Sequence, residues 1–139
     1  MILLDTSGVL AALIPDQRSH EAAAKVLIDA EGPFVLSPFV LAELDYLLTK
    51  IAGTAAALDL LGEVAGGAYR LAAFSQGDVA QARKVIEAHA DLGIGLADAS
   101  IVVLAQTLGT HDLLTLDERH FRTVRGPDNK PFRILPADA

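Results

Sequence analysis

Residues 2–15 read ILLDTSGVLAALIP, and this stretch decides the fold class. Ile2-Leu3-Leu4 is a short continuous apolar run, the pattern of a strand buried on both faces. Asp5-Thr6-Ser7 stops it with three good helix-capping types, and Val9 to Ile14 then reads as a helix ended by Pro15. The same alternation recurs outward along the chain. A helix spans about Ser19 to Ala30, Gly32-Pro33 breaks it, and Phe34-Val35-Leu36 forms a second strand. Ser37-Pro38 opens the next helix, with the serine as cap and the proline at the first helical position. That helix runs to about Ala52, where Gly53-Thr54 ends it, and Thr54 caps a fourth helix through about Ala65. Tyr69 to Ala73 reads as a strand, Gly77 to Ala90 and Leu96 to Leu108 as helices, and Leu113 to Leu116 and Phe132 to Leu135 as the last strands.

Short apolar strands alternating with helices imply a single α/β domain over residues 1–139, with a mostly parallel sheet. No repeat or linker interrupts it. Apolar residues make up 52% of 139, enough for a sizeable core. No apolar run approaches the ~20 residues needed to span a bilayer. MILLDTSG carries no basic leader, and the chain has no cysteine, which excludes disulfides, thiolate metal sites and cysteine nucleophiles. A soluble cytoplasmic protein is the expectation.

Parallel sheets collect ligands outside the carboxyl ends of their strands, which singles out four acids. Asp5 ends the first strand; capping explains an acid there, although Thr6 and Ser7 cap equally well. Glu43 lies at the margin of an apolar helical stripe formed by Val40, Leu44, Leu47 and Ile51, where a buried carboxylate needs a metal ion or an Arg to compensate it. Asp45 points to the outer side. Asp98 sits in the first turn of a helix, where the helix dipole alone accounts for an acid. Asp117 follows the strand Leu113 to Leu116 by one position, and capping of the turn through Glu118-Arg119-His120 is its alternative role. Capping does not predict all four at one sheet edge. All-oxygen ligands select hard cations such as Mg²⁺ or Mn²⁺, which can drive phosphodiester hydrolysis without a protein nucleophile.

Other candidates are weaker. His20, His89, His111 and His120 show no paired ligand spacing and read as surface residues, with His120 near enough to Asp117 to touch substrate. Ser7 and Ser100 have no evident histidine partner. Tyr46 and Tyr69 look like packing residues. The net charge of −7 argues against a nucleic-acid partner only while a metal in the acid cluster is ignored. Arg119, Arg122, Arg125, Lys130 and Arg133 also gather toward the C-terminus.

Four segments carry a resemblance: LLDTSGVLAAL at 3–13, SPFVLAELDYLL at 37–48, GIGLADASIVVLA at 93–105 and LLTLDERHF at 113–121. In this order and separation they resemble the PIN-domain family, and more closely its VapC-type toxins. The resemblance implies a three-layer sandwich in which Asp5, Glu43, Asp98 and Asp117 are metal-binding and catalytic acids around Mg²⁺ or Mn²⁺. Thr6, Ser7 and Thr115 would fill supporting polar positions, and Arg119, His120 and Arg122 would contact substrate. It further implies an endoribonuclease acting on tRNA or ribosomal RNA, a homodimer, and a VapB-type antitoxin that obstructs the pocket. The apolar stretch Ala55 to Ala65 offers an interface, though core packing explains most of it. The alternative function is a catalytically silent binding module, and a phosphatase or receiver domain fits poorly because Ser7 stands where a second Asp is wanted.

Overall fold

The computed structural model describes residues 1–139. Its core is a five-stranded sheet of β1 (Ile2–Leu4), β2 (Phe34–Leu36), β3 (Arg70–Leu71), β4 (Asp112–Leu114) and β5 (Arg133–Leu135). The strand order is β3-β2-β1-β4-β5, and every pair is parallel. Leu3 stands opposite both Val35 and Leu113, and Leu113 opposite Ile134. These central side chains are buried, as expected for strands with helices on both faces.

Seven helices flank the sheet: α1 (Thr6–Leu13), α2 (His20–Asp29), α3 (Pro38–Ala52), α4 (Thr54–Ala65), α5 (Gln76–Ala88), α6 (Leu96–Leu108) and α7 (Glu118–Phe121). Short 3₁₀ turns occupy Ala90–Leu92 and Pro127–Asn129. None of the helices is long and apolar enough to cross a membrane. Local chemistry sets several boundaries. Ser37 Oγ accepts from Phe39 N at 3.2 Å with Pro38 in the first turn, as the sequence predicts. Gly53, at φ 93°, is the hinge between α3 and α4 and takes the cap position expected of Thr54, which becomes the first helical residue.

Four expectations change. The strand over Tyr69 to Ala73 shrinks to Arg70–Leu71, since β3 is an edge strand paired only with β2. β4 ends at Leu114, so Thr115 and Leu116 separate it from Asp117. The buried stripe of α3 is Val40, Leu44 and Leu48, stepping by four residues, while Ile51 is half exposed. Tyr69 is buried, but Tyr46 is 65% exposed and packs nothing in the core.

The chain builds β1, β2 and β3 outward in one direction, then returns to lay β4 on the other side of β1. Connections leaving the carboxyl ends of β1 and β4 therefore diverge and open a crevice between them. Helix α1 crosses this point closely: a Cβ on Gly8 would stand 2.5 Å from the carbonyl oxygen of Leu114. Only glycine lets the first helix sit against the end of β4.

Candidate metal centre

The crevice is assembled from five segments. Asp5 occupies the cap position of α1, yet its side chain makes no capping hydrogen bond. It is 5% exposed, and both of its hydroxyl donors converge on Oδ2: Thr115 Oγ1 at 2.6 Å and Ser7 Oγ at 3.0 Å. Ser7 Oγ in turn accepts from Leu116 N, and Thr115 Oγ1 accepts from Asp117 N. These two hydroxyls thus fix the segment after β4 to the end of β1. Capping does not explain Asp5.

Glu43 lies on the exposed side of α3 rather than at a buried margin, because the helix buries Val40, Leu44 and Leu48 instead. Its Oε1 accepts from Thr6 Oγ1 at 2.6 Å, so a hydroxyl from α1 holds the carboxylate at the crevice. Asp45 is exposed, on the outer side as expected. Asp98 stands in the first turn of α6, whose neighbour Ser100 is buried and shares a 2.6 Å hydrogen bond with Ser37. This pair ties the start of α3 to α6 and has no histidine in its network.

Asp117 does cap α7: its Oδ1 accepts from His120 N at 3.0 Å. Its other oxygen lies 2.8 Å from His120 Nδ1, and Asp98 Oδ2 lies 3.1 Å from the same nitrogen. Neither oxygen is in line with the ring N–H, so the buried Nδ1 has two close acidic neighbours and no well-directed hydrogen bond. The other histidines face backbone carbonyls: His20 with Ala11, His89 with Val85 and His111 with Pro127. Reading His120 as a surface residue therefore misses its place in the cluster. The spacing Asp117-x-x-His120 across one helical turn is the local signal that could have found it.

Electrostatically, Asp98 is the hub. Burial raises its pKa, the His120 ring opposes that, and Asp117 and Glu43 add to it. The Asp5 carboxyl is pushed up to about 6, first by burial; the Thr115 hydrogen bond opposes the rise and the Asp98 charge adds to it. No Lys or Arg relieves this repulsion, because the cationic pairs are Lys25–Asp29, Arg83–Glu87, Arg122 with Glu118 and Asp138, and Arg133–Asp112. Arg122, expected beside the substrate, is committed to that exposed network; Arg119 is exposed next to the cluster.

Ligand atoms of Asp98, Asp117 and His120 lie within 4.8 Å of one another and form a group able to hold a metal ion. The donor chemistry fits a divalent cation: oxygen-rich, net negative, and completed by a buried nitrogen that lacks a directed partner. Asp5 and Glu43 stand outside this tight triplet, but each carboxylate interacts with Asp98.

Known proteins share this arrangement of elements. The sequence matches the PIN domain family over residues 2–127. Ribonuclease VapC26 of Mycobacterium tuberculosis is 38% identical over 135 residues, covering 97% of this chain and all of the relative. Two solved structures share the fold at lower identity. One is Mycobacterium tuberculosis VapC20, described as a sarcin-ricin loop cleaving toxin; it superposes with a TM-score of 0.79 at 20% identity over 84% of this chain and 90% of its own. The other is VapBC2 from Rickettsia felis, bound to a DNA fragment from its promoter, with a TM-score of 0.66 at 22% identity over 97% of this chain and 99% of that one. A parallel sheet in this order, acids at its switch point and a relative matched end to end lead to one assignment: the chain belongs to the PIN-domain family, in its VapC ribonuclease branch.

Proposed function

We propose that this protein is a Mg²⁺- or Mn²⁺-dependent endoribonuclease toxin that cleaves structured RNA, tRNA or ribosomal RNA, and is neutralised in the cytoplasm by a VapB-type antitoxin. One observation carries the reading: four carboxylates meet at the sheet's switch point with no Lys or Arg to balance them. Such a cluster is costly to retain unless a cation occupies it. The VapC26 ribonuclease supports the RNA substrate, and the VapBC2 complex supports the antitoxin.

Asp98 and Asp117 would hold the metal, with Asp5, Glu43 and His120 completing its surroundings. A bound divalent cation supplies a nucleophilic water near neutral pH and offsets charge on the leaving oxygen. The chain's own groups do the positioning. Thr115 and Ser7 orient the Asp5 carboxylate, Thr6 orients Glu43, and the short α7 sets Asp117 and His120 together. Arg119 is free to meet a phosphate, whereas Arg122 reaches one only by leaving Asp138. Pairing of two copies belongs to the same reading, with the exposed Leu58 and Leu61 of α4 and Tyr46 of α3 as apolar contact surface.

The test is cleavage of total cellular RNA by the antitoxin-free protein with Mg²⁺, with Mn²⁺ and with EDTA, beside Asp98→Asn. Discrete fragments that require metal and vanish in the variant are expected. Equal cleavage by folded Asp98→Asn would overturn the assignment, and no cleavage by metal-loaded wild type would favour a binding module.

A further inference from the structure

A groove of about 630 Å³ lies outside the acid crevice, between α5, α6 and the turn at Pro127–Asn129. Its polar walls include Lys84 and His89 from the α5 side, Gln106 from α6, and Arg125 and Asn129 from the segment after α7. Neither Lys84 nor Arg125 has an acidic partner, since the chain's Lys and Arg ion pairs use Lys25, Arg83, Arg122 and Arg133. The one acid in the wall, Asp78, is occupied in the capping box of α5, accepting from Ser75 N at 2.9 Å. In a chain of net charge −7, two cations without an ion-pair partner, on separate elements of one groove wall and outnumbering its single acid, mark a place for an anion.

The groove shares helix α6 with the site. Helix α6 carries Asp98 at its start and Gln106 eight residues on, about 12 Å along the axis at about 1.5 Å per residue. Arg125 follows His120 by five residues. The wall is held firmly: Lys130 N donates to Pro127 O, Gly126 N donates to Lys130 O, and His111 Nε2 contacts Pro127 O at 2.8 Å. At His89, Nδ1 lies 3.0 Å from Val85 O; donation to that carbonyl leaves Nε2 of the neutral ring as an acceptor, which suits a ribose hydroxyl.

We infer that this groove binds the RNA strand as it leaves the crevice, with Lys84 and Arg125 each taking a backbone phosphate; this rests on the ribonuclease reading above. Each contact with single-stranded RNA contributes about 0.7 to the slope of log affinity against log salt. Removing both cations therefore lowers the slope by about 1.4 and weakens binding roughly tenfold or more near 0.1 M salt.

The experiment measures fluorescence anisotropy of a labelled single-stranded RNA oligonucleotide of mixed sequence, in Mn²⁺, across salt concentration. Asp98→Asn serves as the cleavage-silent parent, and Lys84→Ala with Arg125→Ala is compared with Lys50→Ala with Arg70→Ala, a charge-matched pair on the exposed surface of α3 and β3. The expected result is a shallower slope and weaker binding for the groove pair alone, with KM for cleavage raised by the same factor when Asp98 is restored. An unchanged slope, or an equal loss in Lys50→Ala with Arg70→Ala, overturns the groove while leaving the ribonuclease reading intact. No RNA binding by the parent and no cleavage by wild type removes both. Saturable binding of inorganic phosphate at fixed ionic strength that requires both cations would make the occupant a free oxyanion and overturn the strand assignment.

Discussion

Replacing Asp5 with Asn asks whether the crevice holds charge at the expense of the fold. The Asp5 carboxyl is 5% exposed and is pushed from 3.8 to about 6, chiefly by burial. The unfolded chain releases this proton near 3.8 and the folded chain keeps it to about 6, so stability falls as pH rises through that window. At about 1.4 kcal/mol per pH unit, the ionised carboxylate costs the metal-free fold about 3 kcal/mol at neutral pH. Asparagine removes the charge, and with its oxygen at the Oδ2 position it still accepts from Thr115, while the longer bond from Ser7 weakens against a neutral acceptor. One weakened hydrogen bond offsets about 1 kcal/mol of the gain. The net expectation is about 1–3 kcal/mol of added stability, or roughly 3–10 °C in Tm for a chain of this size.

The assay is thermal unfolding in EDTA for both proteins from about pH 4 to pH 8, where the linkage predicts a gap that opens with pH. The two proteins should melt together near pH 4 and separate as pH rises to about 6, with the gap constant above that and the variant the more stable. Added Mn²⁺ should then raise the wild-type Tm more than the variant's, because the ion binds the folded state of the intact cluster. A variant no more stable than wild type at neutral pH, or a gap that ignores pH, would refute the claim that Asp5 is held ionised against its surroundings.

Gly8→Ala places a Cβ 2.5 Å from Leu114 O and should destabilise the fold by about 2 kcal/mol or more, read from denaturant midpoints. Thr115→Val removes the 2.6 Å donor to Asp5 and the acceptor of Asp117 N; unfolding should become easier by about 1–3 kcal/mol, and Mn²⁺ binding by calorimetry should weaken. His120→Ala should lower Mn²⁺ affinity roughly tenfold or more while sparing the helical circular dichroism, and wild-type affinity in this variant would remove His120 from the metal's surroundings.

How much of this was legible in the sequence depends on how local each determinant is. The start of α3 follows from Ser37 and Pro38, and its end from Gly53, all within one turn of the boundary they set. Strand ends follow from partners elsewhere: β4 stops at Leu114 although Leu116 resumes its apolar pattern beyond Thr115. Glu43 meets Thr6 from the exposed side of α3 and not from a buried margin, because the packing of α3 turns Leu48 inward and leaves Ile51 half exposed. The convergence of the acids was readable since an acid at a parallel strand's end has one sheet edge to go to. His120 was not, because its significance lies in Asp98, on another helix.

The basic residues show the same limit and reverse the first impression of charge. Arg119, Arg122, Arg125, Lys130 and Arg133 look like one C-terminal patch in sequence. In space the patch dissolves: Arg122 closes on Glu118 and Asp138, and Arg133 on Asp112. Surface pairs of this kind contribute little to stability, typically under about 1 kcal/mol, but they withdraw those cations from any polyanion. What remains beside the crevice is Arg119, and in the groove that shares α6 with it Arg125 together with Lys84, a residue far off in sequence on α5. On the proposed reading, an acidic chain meets RNA through a few cations without ion-pair partners, while its clustered acids hold a cation. The net charge of −7 then says little about the surface an RNA strand would follow.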